Sequence, residues 1–332
     1  MQPADTFAKA AAKVAAIRAL SLQGRIVYAL KVGSWPKLFA PFVLGQAIGV
    51  REGHGFSVLG LVLGLVFTTL DVTYIVLLND WGDQEVDAIK RRRFPDGCSP
   101  KTIPDGILPA QALLGMGLLA GGLLLAFAWA TGVACERPYF FRLSGLSVLV
   151  FAIYTFKPLA LNYRGGGELL EMFGVGLLLP WLNAYLQSGV LFGASRTMVA
   201  LAPALAFLAL SSALASGISD EESDREGKKR TFATMLGNRS TRVAVECCYL
   251  LGAVLLAVVP PLVLGRLVVG QLPAVVLLLA CYPSIRRESP AAVTNAFAAQ
   301  NRFKGRLHLG LWGFQLLLGT SLVVKAPFSV IW

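Results

Sequence analysis

Nine of the nineteen carboxylates in the chain fall in two short stretches, NDWGDQEVD (residues 79–87) and DEESDRE (residues 220–226). Asn79, Asp83 and Asp87 recur every fourth residue in the first, and Asp220 and Asp224 do so in the second. On a helix this spacing puts the side chains on one face, in the first case along a strip of about 12 Å. Carboxylates massed in this way repel one another unless a cation lies between them. Oxygen donors suit a hard divalent ion, Mg2+ before any softer metal. Such an ion is held through one or two carboxylates and fills its shell with phosphate and water. Basic residues follow each acidic stretch: Lys90 and Arg91 to Arg93 after the first, Lys228, Lys229 and Arg230 after the second. A phosphate shared between metal and these cations is the chemistry the pattern points to. The competing reading is a pair of solvated acid–base loops that only set topology. Two stretches at matching depth favour the cation site.

The elements that must position these residues are membrane spans. The chain has 332 residues, 55% hydrophobic and only 15% charged. Apolar windows of roughly 20 residues predict nine transmembrane helices. They lie near 32–50, 56–79, 107–131, 139–157, 169–189, 198–218, 243–264, 266–283 and 307–331, the seventh and eighth divided around Pro260, Pro261 and Gly265. Residues 1–30 read as a cytoplasmic or interfacial helix with Lys9, Lys13 and Arg18 at the headgroups, and they lack the pattern of a cleaved signal peptide. Residues 31–332 read as one transmembrane domain.

Charge tests this layout independently. With the N-terminus inside, the segments 1–31, 80–106, 157–168, 219–242 and 284–306 hold 23 of the 30 Lys and Arg residues, as the positive-inside rule requires. The acidic stretches close the second and sixth spans, so both open on the cytoplasmic side, where folding brings them together. A carboxylate at the centre of a span costs about 2.5–3.5 kcal/mol, and less at its end. Placement at span ends on one side also argues against a cation carrier.

The net charge of +11 is therefore topological. Nucleic acid is excluded as a partner; the lipid bilayer with its anionic headgroups and an anionic substrate remain. Five cysteines without metal-ligand spacing and two histidines rule out a zinc or haem site and a histidine-based triad.

At these residues the chain resembles the UbiA superfamily of intramembrane prenyltransferases. NDWGDQEVD matches that family's NDxxDxxxD motif, and DEESDREGKKRT its second DxxxD motif with a basic trailer. The resemblance covers nearly the whole chain. It implies an all-α integral membrane protein, nine transmembrane helices in a bundle around a central cavity open to lipid. It further implies that Asn79, Asp83, Asp220 and Asp224 hold two Mg2+ ions against an isoprenoid diphosphate. Asp87 supports the first site and Asp80 faces away. Asp83, Asp224 and Lys228 are then catalytic, and Lys90, Arg93, Lys228 and Arg230 bind the diphosphate. The allylic fragment becomes a carbocation that an electron-rich aromatic carbon captures while an apolar cavity excludes water.

YTFKPLALNYRGGGELLEMFG, residues 154–174, resembles the naphthoate prenyltransferases of menaquinone biosynthesis. That likeness implies Tyr154 against the cation or diphosphate, and Arg164 and Glu168 on the polar end of a dihydroxynaphthoate-type aromatic acceptor. The alternative is a tight loop turned by Gly165 to Gly167. The chain departs from the family at Trp35-Pro36-Lys37, where a basic residue usually precedes the proline, and in the dense basic and proline-rich run 91–109. That run is either a lid over the diphosphate or a plain connection. The expected function is prenyl transfer in a bacterial inner membrane, with the N-terminus and active-site opening cytoplasmic. A UbiA-type terpene cyclase, needing no acceptor, is the alternative.

Overall fold

In a bilayer every backbone N–H and C=O needs an internal partner, so apolar runs of this length fold as helices. The computed structural model describes residues 3–324 and 330–331, with side chains for residues 10–324. Two short helices, α1 (Pro3–Arg18) and α2 (Leu22–Ala29), precede α3 (Pro36–Glu52), α4 (Val58–Gly82), α5 (Gln84–Arg93), α6 (Ala110–Ala134) and α7 (Phe140–Thr155). A single turn, α8 (Leu161–Arg164), leads to α9 (Gly167–Phe173), which continues through a π turn over Gly174–Leu178 into α10 (Leu179–Ser188). Then come α11 (Arg196–Gly217), α12 (Glu221–Glu226), α13 (Phe232–Leu264), α14 (Gln271–Glu288) and α15 (Phe297–Val324).

A helix stands at each predicted span, but among the described residues only six stretches are long and apolar enough to cross a membrane. They are Val58–Gly82, Ala110–Ala134, Gly167–Ser188, Arg196–Glu226, Phe232–Leu264 and Phe297–Val324. The expected count of nine is thus not reached on length and composition. The shortfall has local causes: α3 and α7 have only 17 and 16 residues, and α14 ends in Arg286, Arg287 and Glu288. The ninth predicted span is helical to Val324; residues 325–329 and the side chain of Lys9 lie outside the described residues. Pro260 and Pro261 sit inside α13, and the turn after it is made by Gly265 at φ 68°.

The helices pack in pairs, α4 on α6, α3 on α10, α11 on α13 and α14 on α15. Small residues let the backbones approach, as membrane helices require: a Cβ on Gly45 would lie 2.8 Å from the Cα of Pro180. Some buried polar groups pair between helices. Gln46 donates to Asn183 (3.2 Å), and Asn183 donates to Thr68 (3.2 Å).

Candidate active site

Two breaks in helical geometry build the site. At the end of α4, Asp83 leaves helical geometry (φ −94°, ψ 7°) and α5 restarts at Gln84. The single strip expected for Asn79, Asp83 and Asp87 is therefore broken. Asn79 and Asp83 line a cavity of about 330 Å³, whereas Asp87 turns to Lys101, 2.5 Å away. Burial pushes the Asp87 carboxyl up from its ordinary value against the opposing pull of Lys101. On the other side, α11 tightens into a 3-10 turn over Ile218–Asp220 and runs on as α12, presenting Asp220 and Asp224 to the same cavity. Tyr154 and Glu168 line it too.

The basic trailer arranges itself differently from a helix. α12 stops at Glu226, Lys228 adopts a left-handed conformation (φ 56°), and Arg230 N–H donates to the Tyr163 carbonyl (3.1 Å) in a β-like bridge. Neighbouring side chains in an extended segment point to opposite sides. Lys229 consequently enters the cavity, 7% exposed, while Lys228 and Arg230 stand at the surface. Lys228 and Arg230, expected at the diphosphate, thus lie outside the cavity lining, and Lys229 lies within it.

Lys229 Nζ lies 2.9 Å from each carboxylate oxygen of Asp83 and 5.2 Å from the centre of the Tyr163 ring. Burial works to lower its pKa, but Asp83 and Asp224 outweigh that and hold the ammonium above the ordinary lysine value. The same desolvation, with Asp83 and Asp224 beside it, pushes the Tyr163 phenol up. Asn162 Nδ2 donates to Asp83 (3.1 Å), and Lys90 pairs with Asp220. Asp80 faces away, 3% exposed, and is held by Lys31 and by the Thr102 hydroxyl (2.7 Å).

Other expected residues scatter. Arg93 pairs with Glu222 and Glu226, each at 3.0 Å, outside the cavity lining. Arg164 is exposed and borders, with Lys228, a separate groove beside Gly82 and Tyr163. Glu168 is buried and accepts the Phe232 N–H (2.8 Å), which anchors the start of α13. The run 91–109 is strapped down: Arg18 donates to the Asp105 carbonyl (2.6 Å), Tyr28 to the Pro100 carbonyl (2.7 Å), and Ile107 is fully buried.

Sequence reasoning missed Asn162, the placement of Lys229, and two carboxylates within apolar runs, Asp71 and Glu171. Both of these line the cavity, and Glu171 pairs there with Lys37. A carboxylate inside a predicted span was the available signal for both.

The UbiA prenyltransferase family model matches residues 38–305. The chain belongs to that family. A UbiA prenyltransferase is an enzyme, and the present one is a prenyltransferase with spans of integral-membrane length. Its fold is similar to that of a UbiA homolog from Archaeoglobus fulgidus, solved bound to DMAPP and Mg2+. That match has 16% identity and a TM-score of 0.64, covering 91% of this chain and 99% of that one. A UbiA homolog from Aeropyrum pernix K1 in its apo state matches at 14% identity, TM-score 0.63, over 86% and 98% of the two chains. A digeranylgeranylglyceryl phosphate synthase matches at 12% identity, TM-score 0.60, over 90% and 98%. A search of curated proteins returns no match.

The donor set of this UbiA prenyltransferase fits Mg2+. Asn79, Asp83, Asp220 and Asp224 offer hard oxygens from two helices to one cavity. Among the described residues no three carboxylate, histidine or cysteine side chains form a ready metal cage. Mg2+ needs none, because it takes one or two carboxylates and completes its shell from phosphate and water.

Proposed function

We propose that the protein transfers an isoprenyl chain from its diphosphate to an aromatic acceptor within the membrane, with Mg2+ as cofactor. The observation that carries this reading is the convergence of Asp83 and Asp224, from separate helices, on one cavity that also receives the buried ammonium of Lys229. Asn79 with Asp83, and Asp220 with Asp224, form two donor sets, one for each of two ions. When bound there, Mg2+ would supply the positive charge that stabilises a leaving diphosphate.

The chain's own residues do the rest. Lys229 contributes a charge-assisted contact to a diphosphate oxygen, and Lys90 balances Asp220 beside it. Asp87, with Lys101, backs the first donor set from outside the cavity. Tyr154, stacked on Phe151 at 5.2 Å, offers a π face to an allylic cation. The apolar wall of Leu38, Ile75, Val76, Val150 and Leu170 excludes water. The Lys37–Glu171 pair, with Ser216 at 3.3 Å from Lys37, is the polar group an acceptor meets in the same cavity. Arg93, Arg164, Lys228 and Arg230 form the basic rim toward anionic headgroups. The dihydroxynaphthoate type of acceptor is supported by the Tyr154–Gly174 stretch, and a cytoplasmic mouth in a bacterial inner membrane by the distribution of Lys and Arg.

The test is turnover by purified protein with Mg2+ and a panel of isoprenoid diphosphates, with and without dihydroxylated aromatic acids. Acceptor-dependent formation of a prenylated ring is expected. Release of diphosphate with a cyclic hydrocarbon, no acceptor being present, overturns the transferase reading in favour of a cyclase.

A further inference from the structure

The groove beside Gly82 and Tyr163 has a volume of about 870 Å³ and shares no lining residue with the active cavity. Four segments build both, each through consecutive residues. At the end of α4, Gly82 lines the groove and Asp83 the cavity. Thr155 and Tyr154 divide in the same way at the end of α7, Tyr163 and Asn162 on α8, and Lys228 and Lys229 after α12. Here the partition is one residue thick. Tyr163 spans it, donating its hydroxyl to the Gly82 carbonyl (3.1 Å), with Lys229 Nζ 5.2 Å from its ring centre.

On the groove side, Lys157, Arg164 and Lys228 are all exposed. Among the described residues none of the three has an ion-pair partner, although the neighbouring Arg225 and Lys229 both do. Glu85 is the one carboxylate in the groove lining. Lys228 stands at φ 56°, a conformation that glycine adopts without cost and a side chain with a Cβ only under strain. The backbone alone would favour glycine there. What the lysine adds is a cation in the groove.

We propose that the groove is a second anion site, and that its ligand is free diphosphate, the leaving group, on its way out of the cavity. The choice of ligand rests on the reading of the Asp83–Asp224 end as the place where an isoprenoid diphosphate is cleaved. Lys229 in the cavity and Lys228 in the groove are consecutive, so an anion released by the first meets the second across a single residue. Three unpaired cations against one carboxylate give a net positive lining, which concentrates polyanions. Free diphosphate carries more charge than the phosphodiester of a lipid headgroup, and charge complementarity favours it.

The full-length protein in detergent is titrated with inorganic diphosphate in metal-free buffer. Carboxylates outnumber lysines in the cavity lining, so without Mg2+ the cavity repels the anion and the groove reports. Saturable binding that weakens as salt is added is expected. Lys228→Gly suits the left-handed backbone and should still weaken binding about tenfold, as should Arg164→Ala. Glu85→Gln removes the opposing charge and should tighten binding about threefold, a gain that misfolding does not produce. Absence of metal-independent binding, or affinity indifferent to all three substitutions, overturns the site. Competition by short-chain phosphatidylglycerol at lower concentrations than diphosphate overturns the ligand in favour of a lipid headgroup. A parallel titration with Mg2+ and geranyl diphosphate reads the cavity: if it alone fails, the leaving-group role falls and the anion site stands.

Discussion

Lys229 Nζ sits 2.9 Å from both carboxylate oxygens of Asp83. That fork joins the end of α4 to the bend after α12 and makes one site from two acidic stretches. It is possible because α12 ends at Glu226 and the chain then runs extended past Lys228.

Lys229→Ala should lower kcat/KM for the diphosphate substrate by about 10- to 100-fold, since a charge-assisted hydrogen bond contributes about 1.5–3 kcal/mol. Lys228→Ala, at an exposed position, should leave it near the wild-type value. A larger effect at Lys228 than at Lys229 would reverse the assignment.

The same pair predicts a pH dependence. The folded-state pKa of Lys229 is raised, so its contribution to stability is fully present below the ordinary lysine value of 10.5 and is lost as pH rises through the folded value. Thermal melting of the protein in detergent should include a fall on that alkaline limb, and Lys229→Met should reduce it. An alkaline limb that is identical in the variant counts against the pair.

Asp83→Ala and Asp224→Ala should each reduce the rate at least about a hundredfold, on the order of 3 kcal/mol of transition-state stabilisation. Asp80→Ala should act on stability instead, because Asp80 holds Lys31 and Thr102. Mg2+ titrations separate the cases: the Asp83 and Asp224 variants should need more Mg2+ for half-maximal rate, and the Asp80 variant should need the wild-type amount.

Asn162→Ala removes the amide that orients Asp83 from the other wall. The expected result is a higher Mg2+ requirement with little change in melting temperature, as for a positioning residue. Rescue by Asn162→Gln would be partial. An unaltered Mg2+ profile in the Ala variant would show that Asp83 is held adequately by Lys229 alone.

Orientation is checked by thiol labelling of single-cysteine variants in sealed, right-side-out membranes. Cys98 follows α5 on the acidic side, and Cys135 ends α6 at the other end of the bundle. An impermeant reagent applied outside should spare Cys98. Labelling of Cys98 there would invert the topology.

Hydropathy by itself determined where helices form, because insertion energy depends on local composition. Side-chain spacing singled out Asn79, Asp83, Asp220 and Asp224, which the fold brings to one cavity, because i,i+4 spacing is a local property of sequence. Tertiary structure decided the partners. The break at Asp83 sends Asp87 to Lys101, and the left-handed turn at Lys228 exchanges Lys229 for Lys228 and Arg230 in the cavity. Both outcomes hang on one or two backbone dihedrals that helical periodicity assumes to be regular. Asn162 and Ser147 reach their carboxylates across 79 and 76 positions of chain. Contacts of that range are set by how whole helices pack, and a linear pattern holds no record of it.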